Sequence, residues 1–188
     1  MFENIRVDMI RAFGEEKKLR IIDVLSLLWT RYGFQALLIY RFGRWLRSLR
    51  KHCLGWGIIV PFYPIYWVLS VCVSKAYGIN LEQSADIAPG LYIAHAPGIE
   101  VRNCRIGLGC AIYQQVKLGP VEGKGKGPII GEGVFIGHHA QIRTDITVGD
   151  GASIGGGAVV TQDVPCHCLV LGNPGRIVQR NHDNSALV

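Results

Sequence analysis

Acidic side chains are missing from a long part of this 188-residue sequence, since neither Asp nor Glu occurs between Val24 and Leu81. Within that part, residues 53–74 carry no charge of either sign. The six cysteines lack the spacing of a disulfide framework, and no leader with a small-residue cleavage site opens the chain. These absences lead us to expect a protein of the reducing cytoplasm, built as one domain with an appendage.

The net charge of +6 comes entirely from the N-terminal part of the chain. Residues 1–52 carry eleven Lys and Arg against five Asp and Glu, whereas residues 53–188 carry nine against nine. Basic residues recur there at helical spacing, at Arg41, Arg44, Arg47, Arg50 and Lys51. Apolar residues at steps of four, three and four would line the opposite face, at Leu38, Phe42, Trp45 and Leu49. The pattern predicts a basic amphipathic helix, and because no base-reading pattern accompanies it we expect no nucleic-acid partner.

The uncharged run of residues 53–74 is long enough to cross a bilayer. Pro61 and Pro64, however, predict a break in the helix, which favours a segment that dips into one leaflet and returns. We therefore expect residues 21–77 to hold the protein, peripherally or monotopically, on the inner face of the cell membrane. The alternative is a hydrophobic hairpin that packs on the body of the protein or on a sister subunit.

A six-residue period dominates the sequence from residue 78 onward, where nineteen of the twenty-four glycines lie. Aliphatic residues occupy the repeating position, at Ile87, Ile93, Ile99, Ile106, Ile112, Leu118, Ile130, Ile136, Ile142, Val148, Ile154 and Val160. Neither an α-helix nor an ordinary strand repeats in this way, whereas three such repeats form one coil of a parallel β-helix. We predict a mainly β fold with three regions: an α-helical, membrane-associated one (1–77), the β-helix (78–178) and a tail (179–188).

Several independent stretches accompany the repeat. They are the histidine segment GLYIAHAPGIEV, the interrupting loop LGPVEGKGKGPIIGEGVFIG and the closing GASIGGGAVVTQDVPCHCLVLGNPGRIV. In this order, from Gly78 to Val178, the sequence resembles the serine acetyltransferase-like branch of the left-handed β-helix acyltransferases. The N-terminal part is unlike the helical domain of the serine enzymes and is similar to O-acetyltransferases of bacterial polysaccharide biosynthesis.

The resemblance implies a left-handed β-helix, a homotrimer, and acetyl-CoA bound in the groove between two neighbouring β-helices. His95, in an H-x-x-G-I stretch, would be the general base that takes the proton of an acceptor hydroxyl as it attacks the thioester. No Ser or Cys nucleophile is evident beside it, so we expect direct transfer. By position, the acetyl-CoA contacts would be Gly119, Ala140, Gly157 and Ala158, with Arg176 at the nucleotide phosphates.

Two positions depart from the serine enzymes. The carboxylate that they place fifteen residues before the catalytic histidine is Asn80 here, which leaves Asn80, Glu82 or Asp86 to orient His95. The second histidine that they place before the proline of the loop is replaced by Gly127.

Other histidines and cysteines carry weaker signals. His138 and His139 are interpreted as turn residues or subunit contacts. The Cys-His-Cys of residues 166–168 is spaced too tightly for a closed tetrahedral site, so no metal is expected.

We therefore expect an O-acetyltransferase that modifies a hydroxyl of a saccharide or polysaccharide precursor at the cytoplasmic face of the membrane. The first alternative is a serine O-acetyltransferase of cysteine biosynthesis. The second is a non-catalytic β-helix scaffold that recruits partners at the membrane.

Overall fold

The computed structural model describes residues 2–13, 29–50, 55–120, 125–143 and 145–188. Its helices are α1 (Phe2–Phe13), α2 (Tyr32–Leu49) and α3 (Gly55–Tyr77). Part of the predicted membrane region, residues 21–28 and 51–54, lies outside the described residues.

Short strands make up the rest of the chain, most of them two residues long. They are β1 (Ile79–Leu81), β2 (Asp86–Ile87), β3 (Tyr92–Ile93), β4 (Ile99–Val101), β5 (Arg105–Ile106), β6 (Ala111–Ile112), β7 (Lys117–Leu118), β8 (Ile129–Ile130), β9 (Phe135–Ile136), β10 (Gln141–Ile142), β11 (Thr147–Val148), β12 (Ser153–Ile154), β13 (Val159–Val160), β14 (Cys168–Leu171) and β15 (Arg176–Arg180).

These strands form three sheets, and each sheet takes mainly every third strand. The first holds β1, β4, β7, β10 and β13, the second holds β2, β5, β8 and β11, and the third holds β3, β6, β9, β12, β14 and β15. Within the described residues all strand pairs are parallel except β14 with β15. A chain that visits three sheets in turn forms a three-sided coil, so the predicted β-helix after a helical region is confirmed.

The core is a column of aliphatic side chains inside this coil. On the third sheet, Ile112, Ile136 and Ile154 stack in register and are fully buried. Each buried isoleucine stabilises the rungs above and below it, and truncating one to alanine costs about 2–5 kcal/mol in such cores. The six-residue period is therefore the packing requirement of the interior.

One step of the predicted register is wrong. The structure places Val101, not Ile99, in line with Leu118. Ile99, two residues earlier on the same strand, is also buried and pairs with Ile79 of β1. The step from Ile93 is therefore eight residues long instead of six. The two additional residues lengthen the corner between β3 and β4, and this corner carries His95.

The placement of Arg41 also differs from the sequence prediction, which assigns this residue to the exposed basic face of α2. The side chain is buried and its Nε donates to Asp8 of α1 at 2.9 Å, while its terminal nitrogens donate to the carbonyls of Ile87 and Ala88. Asp8 also accepts from the N–H of Gly90 at 2.7 Å. The pair thus fastens α1 and α2 to the first coil. Asp8 is 33 residues before Arg41, so the local helical pattern could not indicate that the two side chains pair.

Helix α3 is continuous where the sequence predicts a break. Pro61 and Pro64 lie within it, and the backbone carbonyls that lose a helical N–H partner belong to Gly57 and Val60. Both of those residues are exposed, so water can satisfy the two carbonyls. Among the described residues, the segment Ile59–Tyr77 is the one helix that is long and apolar enough to cross a membrane, by length and composition only.

Candidate active site

His95 lies on the outer surface of the coil, at the lengthened corner between β3 and β4. Its ring is exposed and meets the ring of Tyr113 edge to face, with centroids 6.2 Å apart. Tyr113 packs in turn against Phe135, at 5.2 Å. The imidazole is therefore open to an acceptor from outside and supported on one side by an aromatic pair.

Hydrogen bonds to the coils on both sides hold this corner in place. The N–H of Gly98 donates to the carbonyl of Gly78 at 3.0 Å, and the N–H of Gln115 donates to the carbonyl of Pro97 at 3.0 Å. A Cβ at Gly98 would lie only 2.9 Å from Cγ of Gln115, so the rungs approach closely here. The corner is longer than its neighbours but is not loosely attached.

The same corner carries polar side chains on the following coils. Gln114 and His138 hold the equivalent position on the next two coils, two residues after the inward isoleucine that pairs in register with Ile93. Two rung spacings separate the levels of the two histidines, which is about 10 Å. His138 and His139 are exposed, and the ring of His138 fills the space in which a side chain at Gly156 would lie. The interpretation of this histidine pair as turn residues is confirmed, but the sequence analysis missed that the pair shares the corner of His95.

Asn80, the predicted orienting residue, lies on β1 and is exposed. Strand register pairs it with Glu100 of β4. Within the described chain no hydrogen bond joins Asn80 to His95. Glu100 is a half-buried carboxylate five residues after His95, and it lies 3.8 Å from the Arg102 guanidinium. It lies between two inward residues, Ile99 and Val101, and the observed register was needed to show that it faces outward.

Asp86 serves a different face of the coil. Its carboxylate lies 3.0 Å from Arg44 of α2 and 3.6 Å from Arg105 of β5. It belongs to β2, in the second sheet, as its nine-residue distance from His95 predicts. Because Asp86 forms these two ion pairs on another face of the coil, it does not orient His95 in this structure.

The predicted acetyl-CoA contacts occupy three places. Ala140, Gly157 and Ala158 lie at the corner of His95, on later coils. Gly119 lies at the opposite edge of the first sheet, directly after β7, and Arg176 is exposed on the terminal hairpin. The structure therefore brings three of the five to the histidine corner.

The backbone of this corner is already engaged in the coil. The N–H groups of Ala140 and Ala158 donate within their own turns at 3.2 Å, and both alanine side chains are buried. The N–H of Gly157 donates to the carbonyl of His138 at 2.7 Å. No neighbouring atom lies within 4 Å of the place where a Cβ of Gly157 would be, so this glycine borders open space.

Two of the buried cysteines are protonated thiols at neutral pH. Burial raises the pKa of Cys104 to about 12 and that of Cys110 to about 11, so both thiols stay protonated at neutral pH. Among the described residues, no cluster of three or more His, Cys, Asp and Glu side chains could hold a metal ion.

Comparison with known proteins assigns the chain to a family. The sequence profile of the bacterial transferase hexapeptide (six repeats) matches residues 127–162. The serine acetyltransferase of Synechococcus elongatus is 32% identical over 185 residues, which cover 96% of this chain and 70% of that relative. The chain belongs to the serine acetyltransferase family. Membership confirms the predicted class, an acyltransferase with acetyl-CoA as donor.

Solved structures of the family match along nearly the whole chain. The Brucella abortus serine acetyltransferase in complex with coenzyme A has a TM-score of 0.75 and 27% identity, covering 95% of this chain and 68% of that chain. The Neisseria gonorrhoeae serine acetyltransferase in complex with serine has a TM-score of 0.72 and 27% identity, covering 93% and 68%. The likeness thus extends to the N-terminal helices, which the sequence analysis set apart from the serine enzymes. Polysaccharide O-acetyltransferases find no support in these relatives.

The family members differ in length. The chain spans 50% of the Escherichia coli serine acetyltransferase, to which it is 38% identical over 149 residues. The fold and the acyltransferase class follow from the shared part.

Proposed function

We propose that this member of the serine acetyltransferase family is an acetyl-CoA-dependent O-acetyltransferase whose acceptor is serine. The observation that carries the proposal is the exposed His95, presented on a lengthened corner in a chain whose relatives are serine acetyltransferases. The exposed imidazole of His95 is suited to a proton transfer with a small acceptor that arrives from solvent.

The proposed reaction needs one proton carrier. His95 takes the hydroxyl proton of serine as the oxygen attacks the thioester carbonyl carbon, and the bond from that carbon to sulfur breaks as the intermediate collapses. The imidazolium then returns the proton to the departing thiolate, which leaves as free coenzyme A. Direct transfer is supported by the raised pKa of the Cys104 and Cys110 thiols, because neither supplies a thiolate nucleophile at neutral pH.

Neighbouring groups would position the reactants. Tyr113 supports one side of the His95 ring, and Glu100 with Asn80 forms a polar strip on the adjoining sheet. A carboxylate at Glu100 is suited to the ammonium group of an amino-acid acceptor. The open space beside Gly157 offers room for the pantetheine arm.

A saccharide hydroxyl is the second candidate acceptor, and one observation favours it. A side chain at Gly127 would collide with the carbonyl oxygen of Asn103, so the second histidine expected of serine enzymes has no room in this backbone. Together with Asn80 in place of a carboxylate, this departure removes two groups that a serine enzyme would use.

Release of free thiol from acetyl-CoA by the purified chain tests both candidates. The acceptors are L-serine, nucleotide sugars and lipid-linked saccharides, each at matched concentration, with the acetylated product identified by mass spectrometry. We expect serine to raise the rate of thiol release above its acceptor-free value and to yield O-acetylserine. Stimulation by a saccharide without stimulation by serine would replace the first candidate by the second.

A chain inactive with every acceptor, yet folded and able to bind coenzyme A, would favour the non-catalytic scaffold. Isothermal titration with coenzyme A distinguishes this outcome from a protein that is simply misfolded.

We also propose a homotrimer, because the His95 corner faces outward and nothing in the described chain encloses an acceptor there. A neighbouring subunit would supply the missing wall of the groove. Light scattering should give about 62 kDa, three times the 20.7 kDa of one chain. A fully active monomer would contradict this assembly.

A further inference from the structure

Helix α3 presents a large apolar surface to its surroundings. We call this the α3 surface, and its exposed side chains are Val60, Phe62, Tyr63, Ile65, Trp67, Val68, Leu69 and Val71. Each of these side chains is between 37% and 66% exposed. A continuous apolar patch of this kind on one element marks an interaction site in a folded protein.

Only one stripe of α3 is covered by the rest of the chain. Ile59 is buried, and Tyr66, Ser70 and Val73 are half-buried against α2. From residue 55 to residue 74 the helix bears no charge. The α3 surface is therefore apolar on several sides, which differs from a soluble helix with one buried stripe.

The charges around this surface are those that anionic lipid attracts. Arg47, on the neighbouring end of α2, is exposed and donates to the neutral carbonyl of Gln83 at 3.2 Å, and among the described residues no carboxylate forms an ion pair with it. Arg44 is exposed but is paired with Asp86. Lys75 is exposed in the last turn of α3, and the nearest acidic residue in sequence is Glu82.

A cleft between the two helices places cations beside this apolar surface. It has a volume of about 300 Å³ and is lined by Arg47, Arg50, Tyr63 and Tyr66, among others. Arginine and tyrosine donors beside apolar surface suit a lipid phosphate, whose acyl chains would continue along α3.

Packing determines how α3 would meet a bilayer. Helix α2 runs beside α3 in the opposite direction, with Phe42 near Phe62 at 6.4 Å and Tyr32 near Tyr77 at 4.5 Å. The hydroxyl of Tyr40 donates to Ala85 of the first coil at 2.7 Å. If α3 crossed the membrane, the arginine side chains of α2 would lie in the hydrocarbon core, and burying their charges there is strongly unfavourable.

We propose that the α3 surface binds an anionic lipid bilayer, with α3 lying in the plane of the interface. Apolar side chains enter the acyl boundary while the Arg47 side of α2 faces lipid phosphates. The first coil of the β-helix is joined directly to α3 at Gly78, so the enzyme body stays close to the membrane surface.

Vesicle flotation of the full-length protein tests the proposal. Vesicles of phosphatidylcholine alone are compared with vesicles holding about 30% phosphatidylglycerol, at about 0.1 M and about 0.5 M salt. We expect recovery with anionic vesicles at low salt, at least tenfold lower recovery with neutral ones, and release at high salt.

Two matched variants locate the contact. Ile65→Glu places a charge on the α3 surface and should lower recovery at least tenfold, whereas Ile129→Glu should not change it. The two isoleucines are 50% and 48% exposed, so they differ in location and not in exposure. Arg47→Gln should weaken binding to anionic vesicles more than binding to neutral ones.

Depth of insertion distinguishes an interfacial helix from a crossing one. In a variant whose other tryptophans, Trp29, Trp45 and Trp56, are replaced by Phe, lipids brominated near the headgroup should quench the fluorescence of Trp67 more than lipids brominated near the chain end. Deeper quenching, or recovery of Ile65→Glu equal to wild type, would overturn the proposal. A protein that binds no vesicles would also overturn the proposal if its mass exceeded that of the trimer and Ile65→Glu lowered that mass. A second copy of the chain would then cover the α3 surface.

Discussion

At the scale of single residues, His95 lies within the eight-residue step from Ile93 to Val101, and its ring is exposed. A six-residue step would bring the chain round the corner as tightly as it does from Ile112 to Leu118. The two additional residues lengthen the corner at His95 while Ile93, Ile99 and Val101 remain buried. Core packing and a reactive surface side chain therefore coexist within a few residues.

Replacing His95 by Ala should lower kcat about 10²–10⁴-fold, because the acceptor then loses its general base. KM for acetyl-CoA should stay within a factor of about three, since the imidazole acts on the acceptor hydroxyl and not on the nucleotide. Thiol release at saturating acceptor and donor measures both. His167→Asn is the control, since His167 is exposed on the turn before β14 and Asn tolerates its φ of 53°. Activity of His95→Ala within a factor of three of wild type would remove the assigned base.

Cysteine reactivity offers a prediction that depends on pH. Because burial raises the pKa of Cys104 to about 12, its thiol remains protonated at pH 9.5, where a thiol of ordinary pKa 9.0 is largely thiolate. Alkylation at pH 9.5 followed by peptide mapping should label the exposed Cys72 and Cys166 and leave Cys104 unmodified. Urea should expose Cys104 to the same reagent. Rapid labelling of Cys104 in the folded protein would show that this rung opens.

At the scale of elements, the hexapeptide period was sufficient to predict the coil because every inward position needs an aliphatic side chain. The period could not fix the register at the long corner, because Ile99 and Val101 are both β-branched and both buried. The apolar character of α3 was evident, but its continuity through Pro61 was not, since the outcome depended on which side of the helix is exposed. Of the candidate site, His95 was predictable from its motif. Glu100 and the stacking of His138 required the observed register.

Backbone approach between coils predicts which turns tolerate a side chain. Gly119 has a φ of +99°, and a Cβ there would collide with the carbonyl oxygen of Arg102. Gly109 has a φ of +65° but no atom within 4 Å of its would-be Cβ. We expect Gly109→Ala to cost about 1–2 kcal/mol for the left-handed backbone, and Gly119→Ala about 2–5 kcal/mol because the collision adds to it. Urea unfolding of both variants gives the comparison, and equal losses would show that the corner at Gly119 relaxes freely.

At the scale of the whole molecule, the helices and the β-helix are joined by a buried ion pair. Asp8 and Arg41 are 2% and 5% exposed, and together they contact the first coil at Ile87, Ala88 and Gly90. An ion pair in this position fixes α1 and α2 to the coil with a defined orientation. The placement of the α3 surface relative to His95 follows from it, because α3 packs on α2.

Replacing both partners of this pair should destabilise the protein by less than the sum of the two single replacements. Asp8→Ala leaves the Arg41 guanidinium buried without its carboxylate, which costs about 3–5 kcal/mol in comparable sites. Arg41→Met should cost a similar amount because Asp8 is then unpaired, whereas the double variant should lose less than the sum of the two. Urea unfolding of the four proteins measures the coupling free energy. Additive losses would mean that the two side chains are solvated independently, and the helices would then be held to the coil by apolar contacts such as those of Tyr40 and Leu37.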